Sequence, residues 1–173
     1  MRILVTGNLG YIGSVLIEVL KPEYEIIGYD IGFFKESVLS KTIEPNKQIY
    51  KDIRDITEKD IAGIDFIIHL AALSNDPLGE LNPDLTKEIN FNATKKLALF
   101  AKNVGVKRLI YVSSQSMYGI SDTSKEVDEV NSEKSPVTEY AKTKWDAELF
   151  LNSLNEDNFF TVSFRPSTVF GAS

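Results

Sequence analysis

Arg2-Ile3-Leu4-Val5-Thr6-Gly7-Asn8-Leu9-Gly10-Tyr11-Ile12-Gly13 stands at the start of the chain, and its reading decides the fold. The short apolar run Arg2–Thr6 predicts a buried strand. A glycine-spaced turn comes next. Tyr11–Leu20 then carries Ile12, Val15, Leu16 and Val19 at helical intervals and stops at Lys21-Pro22. In a strand, turn and helix of this kind each glycine has its own mechanical task. Gly7 permits the tight turn, Gly10 lets the backbone approach a pyrophosphate, and Gly13 lets the helix pack close to the sheet. The helix start offers unpaired N–H groups and a partial positive charge to phosphates. An ordinary strand–helix turn has the same spacing, so residues further along the chain have to decide between the two.

Glu25–Asp30 reads as a second strand, and it ends on an acid 17 positions after Gly13. A carboxylate at Asp30 can accept both ribose hydroxyls of an adenosine, and it repels a 2′-phosphate. No arginine comes after it, which favours NAD over NADP; capping a loop is the other use for such a residue. Residues 48–50, 65–70, 107–112 and 159–164 read as further strands, and 56–62, 84–103 and 137–154 as helices. Residues 31–47 form an excursion, and 75–82 and 121–136 form loops rich in polar and turn-forming residues. Buried strands alternating with helices predict an α/β fold, a Rossmann-type doubly wound parallel sheet of about six strands with helices on both faces. Asp52, on the residues alone, is a loop carboxylate. His69, inside an apolar strand, is read as a packed, hydrogen-bonded core residue.

A second constellation lies far along the chain. Tyr140-Ala141-Lys142-Thr143-Lys144 sets a phenol and an ammonium four residues apart, on one face of a predicted helix. A lysine cation and a positive nicotinamide ring both stabilise a phenolate, which can then take a proton from a sugar hydroxyl as hydride leaves the same carbon. Ser113-Ser114 closes the strand at 107–112, where a hydroxyl can share the substrate oxygen. In open parallel sheets ligands bind at the carboxyl ends of strands, and both Ser114 and the glycine turn lie there. Tyr140 and Lys144 alone also fit a solvated helix face; the upstream serine and the cofactor turn favour the catalytic reading.

Composition narrows the field. The chain has 173 residues, enough for one domain with a proper core, and carries a net charge of −6, which disfavours nucleic acid as a partner. It contains no cysteine and one histidine, so thiolate or histidine-based metal sites and disulfides are not expected. No apolar run reaches the roughly 18–20 residues of a membrane span, and the start lacks the longer apolar stretch of a secretory signal, so a cytoplasmic location is expected.

Taken together these segments resemble the extended short-chain dehydrogenase/reductases, specifically the nucleotide-sugar epimerase/dehydratase group. The resemblance rests on Thr6-Gly7-x-x-Gly10-x-x-Gly13, Asp30, Asp52-Ile53, His69-Leu70-Ala71-Ala72, Asn90 with Thr94, Ser113-Ser114 with Tyr118-Gly119, Tyr140-x-x-x-Lys144 and Arg165-Pro166-x-x-Val169-Phe170-Gly171. It implies that Tyr11 and Ile12 touch the pyrophosphate, Asp52 and Ile53 hold the adenine, and Leu70, Ala71 and Ala72 line the cofactor's middle. Asn90 is implied behind the active site, among the residues that serve the cofactor. Tyr140 is implied as base, Lys144 as the residue that binds the nicotinamide ribose and tunes Tyr140, and Ser114 as the group that orients a nucleotide-sugar substrate. The resemblance also implies a homodimer paired through the helices at 84–103 and 137–154.

Two departures from the family pattern matter. Gln115 and Ser116 stand where sugar dehydratases of the group carry an acidic pair, which argues against 4,6-dehydration and leaves epimerisation through a keto intermediate. Reduction or dehydrogenation of a sugar nucleotide, and dinucleotide binding without turnover, are the alternatives. The second departure is length. Residues 1–173 read as an NAD-binding domain without the carboxyl-terminal substrate lobe of the family, so weak NAD binding and poor turnover are expected of this chain.

Overall fold

A computed structural model describes residues 1–36, 43–74, 76–120 and 126–171. Its centre is a six-stranded, all-parallel sheet with the order β3-β2-β1-β4-β5-β6. The strands are β1 (Arg2–Thr6), β2 (Glu25–Asp30), β3 (Lys47–Tyr50), β4 (Phe66–His69), β5 (Arg108–Val112) and β6 (Phe160–Phe164). The chain moves outward from β1 to β3, returns to the far side of β1, and moves outward again to β6. The order therefore reverses between β1 and β4. Connections leaving those two strands diverge, which opens a crevice at their carboxyl ends.

The crossover connections place helices on both faces, against two separate cores. On one face α1 (Tyr11–Leu20) packs Ile17, with Leu16 and Leu20, against Ile3, Val5 and Ile26. Val15 and Val19, predicted to lie on the apolar stripe of this helix, face outward instead. On the other face α4 (Ala93–Asn103) and α5 (Glu139–Ser153) cover the larger core, in which Leu97, Ala101, Ala147 and Leu151 meet Leu4, Ile67 and Leu109.

The single helix predicted at 84–103 has three parts. It starts at α3 (Pro83–Lys87), whose N-cap Asn82 accepts from the Leu85 N–H at 3.0 Å. It widens into a π turn at Glu88–Asn92 and continues as α4. Residues 75–82, predicted as loop, include the short helix α2 (Asp76–Leu81), whose second residue, Pro77, suits a first helical turn. Residue 75 lies outside the described residues, as do 121–125 of the predicted loop at 121–136 and 37–42 of the excursion at 31–47. The helix predicted at 56–62 is replaced by two 3-10 turns, Ile53–Asp55 and Glu58–Ile61. Asp52 caps the start of the first, and a reciprocal box between Thr57 and Asp60 caps the start of the second. Among the described residues no helix is long and apolar enough to cross a membrane.

Leu97 is completely buried, whereas Leu99, two residues on, is 49% exposed. Leu97→Ala is therefore expected to lower unfolding stability by roughly 3 kcal/mol and Leu99→Ala by less than about 1 kcal/mol, as read from urea titrations.

Candidate active site

The turn after β1 is built on bare backbone. Gly7 has φ +71°, and a Cβ there would sit 2.7 Å from the Ala71 nitrogen and 2.9 Å from the Leu70 carbonyl carbon. Only glycine lets the β1 turn lie this close to the chain leaving β4. At Gly13 a Cβ would strike the Gly7 carbonyl and the Asn8 backbone, so the close packing is of the helix on its own entry loop. Gly10 is the N-cap of α1, yet no side chain caps the helix and its first turn carries no acid. The opening N–H groups at Tyr11, Ile12 and Gly13 are thus turned to the crevice without an internal anion.

The crevice has a volume of about 860 Å³. Its wall contains Gly7, Gly10, Tyr11, Ile12 and Gly13 from the loop and Asp30 from the end of β2. Asp52, Ile53, Leu70, Ala71 and Ala72 contribute next, and Ser114, Tyr140 and Lys144 stand at the far end. Asn90 alone among the sequence candidates does not line it. Asn90 is buried behind the wall, where its amide oxygen accepts from the Leu73 N–H at 2.8 Å and its amide nitrogen donates to the Leu73 carbonyl at 3.0 Å. Its effect reaches the crevice through the backbone of Leu73.

The two acids at the β2–β3 end already have partners. Asp30 accepts from the Leu9 N–H at 3.1 Å with one oxygen and from the Gly32 N–H at 2.7 Å with the other. Each oxygen keeps a second lone pair for a ligand hydroxyl. Asp52 is paired with Arg54, at 3.1 Å and 2.7 Å through two guanidinium nitrogens, and this hydrogen bonding holds its carboxyl below the usual range.

At the other end Ser114 accepts from the Ser116 N–H at 3.1 Å and from the Ser116 hydroxyl at 2.8 Å. Its own proton is left to donate into the crevice. Lys144 lies on α5 and is 3% exposed; its ammonium donates to the Val112 carbonyl at 2.8 Å and lies 4.8 Å from the centre of the Tyr111 ring and 5.9 Å from that of Tyr140. Burial pulls its pKa from 10.5 down to about 7. The only carboxylates on the crevice wall among the described residues are Asp30 and Asp52, at the end away from Ser114 and Tyr140.

Beneath the floor runs a polar row. Tyr29, Thr6, His69, Tyr111 and Ser163 occupy one register level across β2, β1, β4, β5 and β6. His69 is 1% exposed, with Nδ1 2.6 Å from the Thr6 hydroxyl and Nε2 2.8 Å from the Thr94 hydroxyl. The Thr94 hydroxyl donates to the Asn90 carbonyl at 2.8 Å, so Nε2–H must donate to Thr94 and Nδ1 must accept from Thr6. Thr6 in turn accepts from the Ala71 N–H at 3.3 Å. One tautomer is thereby selected. Burial, helped by the charge of Lys144, lowers the His69 pKa to about 3 and keeps the ring neutral.

Residues beyond β6 form the rim. The Tyr11 hydroxyl donates to the Gly171 carbonyl at 2.7 Å, and Pro166, Ser167, Thr168 and Val169 border the crevice. Arg165 anchors this rim. Its guanidinium pairs with the buried Glu148, donates to the Tyr118 hydroxyl at 2.7 Å and to the Glu129 carbonyl at 2.8 Å, and lies 5.5 Å from the ring centres of Tyr118 and Trp145. Leu73, Phe33 and Phe34 also border the crevice and were not singled out from the sequence. The available signal was position alone: Leu73 comes shortly after the end of β4, and Phe33 and Phe34 just after Asp30.

Known proteins resemble this chain in sequence and in fold. The chain is 35% identical over 98% of its length to a dTDP-D-glucose 4,6-dehydratase of Mus musculus, of which it covers 51%. Among solved structures it resembles a UDP-N-acetylglucosamine 4-epimerase from Methanobrevibacter ruminantium, with a TM-score of 0.81 and 28% identity over 95% of this chain and 54% of that one. A dTDP-glucose 4,6-dehydratase from Streptomyces venezuelae with NAD bound gives a TM-score of 0.76 and 28% identity over 88% of this chain and 51% of that one. The chain thus spans about half the length of the relatives it matches. The family model for the NAD dependent epimerase/dehydratase family matches residues 3–173, and the chain belongs to that family.

Proposed function

We propose that residues 1–173 act as the NAD-binding part of an enzyme that oxidises and reduces a hydroxyl of a nucleotide sugar, with epimerisation through a keto intermediate as the net reaction. The observation that carries this reading is the convergence of Ser114, Tyr140 and Lys144 at one end of a crevice whose other end is an uncapped helix start beside Asp30. The fit to a dinucleotide is good along the whole wall. The α1 start and the bare glycines suit a diphosphate, Asp30 retains lone pairs for ribose hydroxyls, and Asp52 with Ile53 borders a place for the adenine. Bound there, NAD supplies the acceptor and later the donor of a hydride. Ser114 donates to the sugar oxygen, Tyr140 takes its proton, and the Lys144 ammonium favours the phenolate. Lys144 would also hold the nicotinamide ribose.

The 35% identity to a dehydratase favours 4,6-dehydration as a second reading. Against it, Gln115 is exposed and the Ser116 hydroxyl is turned onto Ser114, so neither supplies an acid for a leaving hydroxyl. We further propose a nucleotide-sugar partner, a cytoplasmic setting without nucleic-acid or membrane partners, and a homodimer through the helices at 84–103 and 137–154. In support of the dimer, Leu99 and Leu149 stand about half exposed on α4 and α5.

Incubating the whole enzyme of which residues 1–173 are the NAD-binding part with NAD and UDP- or dTDP-hexoses, with products read by NMR, separates the readings. A C4 epimer is the expected product; a 4-keto-6-deoxy sugar would establish dehydration, and net NADH a dehydrogenase. Tyr140→Phe is expected to lower the epimerisation rate by about 10²-fold or more while changing the NAD dissociation constant less than about threefold by calorimetry.

Lys144 also makes stability depend on pH. Between pH 7 and 10.5 the unfolded chain holds the lysine proton and the folded chain releases it, so stability rises with pH through that window. Relative to Lys144→Met, the wild-type chain is expected to gain about 2 kcal/mol between about pH 7 and pH 9 in denaturant titrations.

A further inference from the structure

Asn8 lies between Gly7 and Gly10 in the loop of the proposed dinucleotide site, yet it is 1% exposed and forms no part of the crevice wall. Its amide nitrogen donates to the Gln48 side-chain oxygen at 2.7 Å, and the Gln48 amide nitrogen donates back to the Asn8 oxygen at 3.2 Å. Gln48 is on the edge strand β3, paired in register with Gly28 of β2. The two amides therefore meet over the central strand of the three. Gly28 is what lets them pass: a Cβ there would strike the Gln48 oxygen and lie 2.6 Å from the Asn8 amide nitrogen. A second bond from the Gln48 amide to its neighbour's carbonyl, at 3.3 Å from Ile49, steadies its end of the pair.

We propose that this Asn8–Gln48 amide clasp is a positioning device that sets affinity for the diphosphate of a dinucleotide. The inference rests on the reading of the glycine loop as the cofactor site. Two other bonds hold the loop from the same side, Gly7 N–H to the Tyr29 carbonyl at 2.9 Å and Leu9 N–H to Asp30 at 3.1 Å. Both of these restrain backbone N–H groups on either side of Asn8. The clasp restrains the residue between them by its side-chain amide. With all three in place the loop already has its shape, and the α1 start is presented to a ligand without ordering cost on binding. With the clasp open, Asn8 has a buried amide without partners, and the loop must move to give that amide water. Neither residue lines the crevice, so the effect passes through loop order alone.

The test is a double-mutant cycle on Gln48→Ala and Asn8→Ala, with NAD affinity measured by calorimetry and loop order by amide hydrogen exchange without ligand. Gln48 lies on the edge strand of the sheet, so its truncation leaves the core intact. Each single substitution is expected to raise the NAD dissociation constant about tenfold, and the double substitution no more than either alone, because either one opens the clasp. Exchange at Leu9 to Ile12 is expected to quicken at least tenfold in each variant while exchange in β4 and β5 stays unchanged. Single effects that multiply to about a hundredfold, or NAD affinities that stay at the wild-type value, would overturn the clasp with the cofactor reading intact. Quickened exchange in β4 and β5 would reassign the pair to general stability. A wild-type chain that binds no NAD would overturn the cofactor reading, and the clasp as a determinant of affinity with it.

Discussion

The β1 turn lies against the chain leaving β4 with no side chain between them, because the bare backbone of Gly7 rests on the Leu70–Ala71 peptide. Everything at the carboxyl end of the sheet depends on that contact. It brings the start of α1 beside the segment at 70–74, and it puts the Ala71 N–H within reach of Thr6. From Thr6 the hydrogen bonds run through His69 and Thr94 to the π turn that holds Asn90, and Asn90 returns to Leu73. The crevice wall is thus supported from below by a closed circuit of polar groups, each with its donor and acceptor roles determined by the next. A buried circuit of this kind tolerates no loss of one member, because the neighbour is then left without a partner in a low-dielectric interior.

The two ends of the crevice differ in how charge is managed. At the Asp30 and Asp52 end both carboxylates are held by donors within the protein, and the ligand must share them. At the Tyr140 end the Lys144 ammonium is almost out of water and donates to the neutral carbonyl of Val112. A lysine so far from solvent gives up its proton near neutrality. The charge that assists Tyr140 is therefore sensitive to whatever else enters that end of the crevice.

What the sequence made legible was local in character. Arg2–Thr6, Tyr11–Leu20 and Glu25–Asp30 coincide with the observed β1, α1 and β2, because apolar runs and glycine punctuation act over a few residues. Of the site, the glycine turn and Ser114 were readable from their place at strand carboxyl ends, and Tyr140 with Lys144 from helical spacing, whereas Tyr11, Ile12, Asp52, Ile53, Leu70, Ala71, Ala72 and Asn90 came only through the family resemblance. Features that depend on distant partners were not readable. The side of α1 that faces the sheet is set by Ile17 rather than by Val15 and Val19, and only the packing against Ile3, Val5 and Ile26 decides that. The π turn at Glu88–Asn92 and the pairing of Asn8 with Gln48, 40 positions away, likewise belong to the tertiary structure. The full burial of Lys144 comes from α5 lying against β5, and a Tyr-x-x-x-Lys spacing carries no information about that depth.

Trp145 is the one tryptophan of the chain, and it is the residue after Lys144. Its indole lies 5.5 Å from the Arg165 guanidinium, which also grips Tyr118 and anchors the rim at 166–169. The chain's one indole therefore sits at the joint between α5 and the rim. Any rearrangement of that joint alters the cation above the indole, so tryptophan emission, excited apart from the tyrosines, reports on events at the crevice mouth.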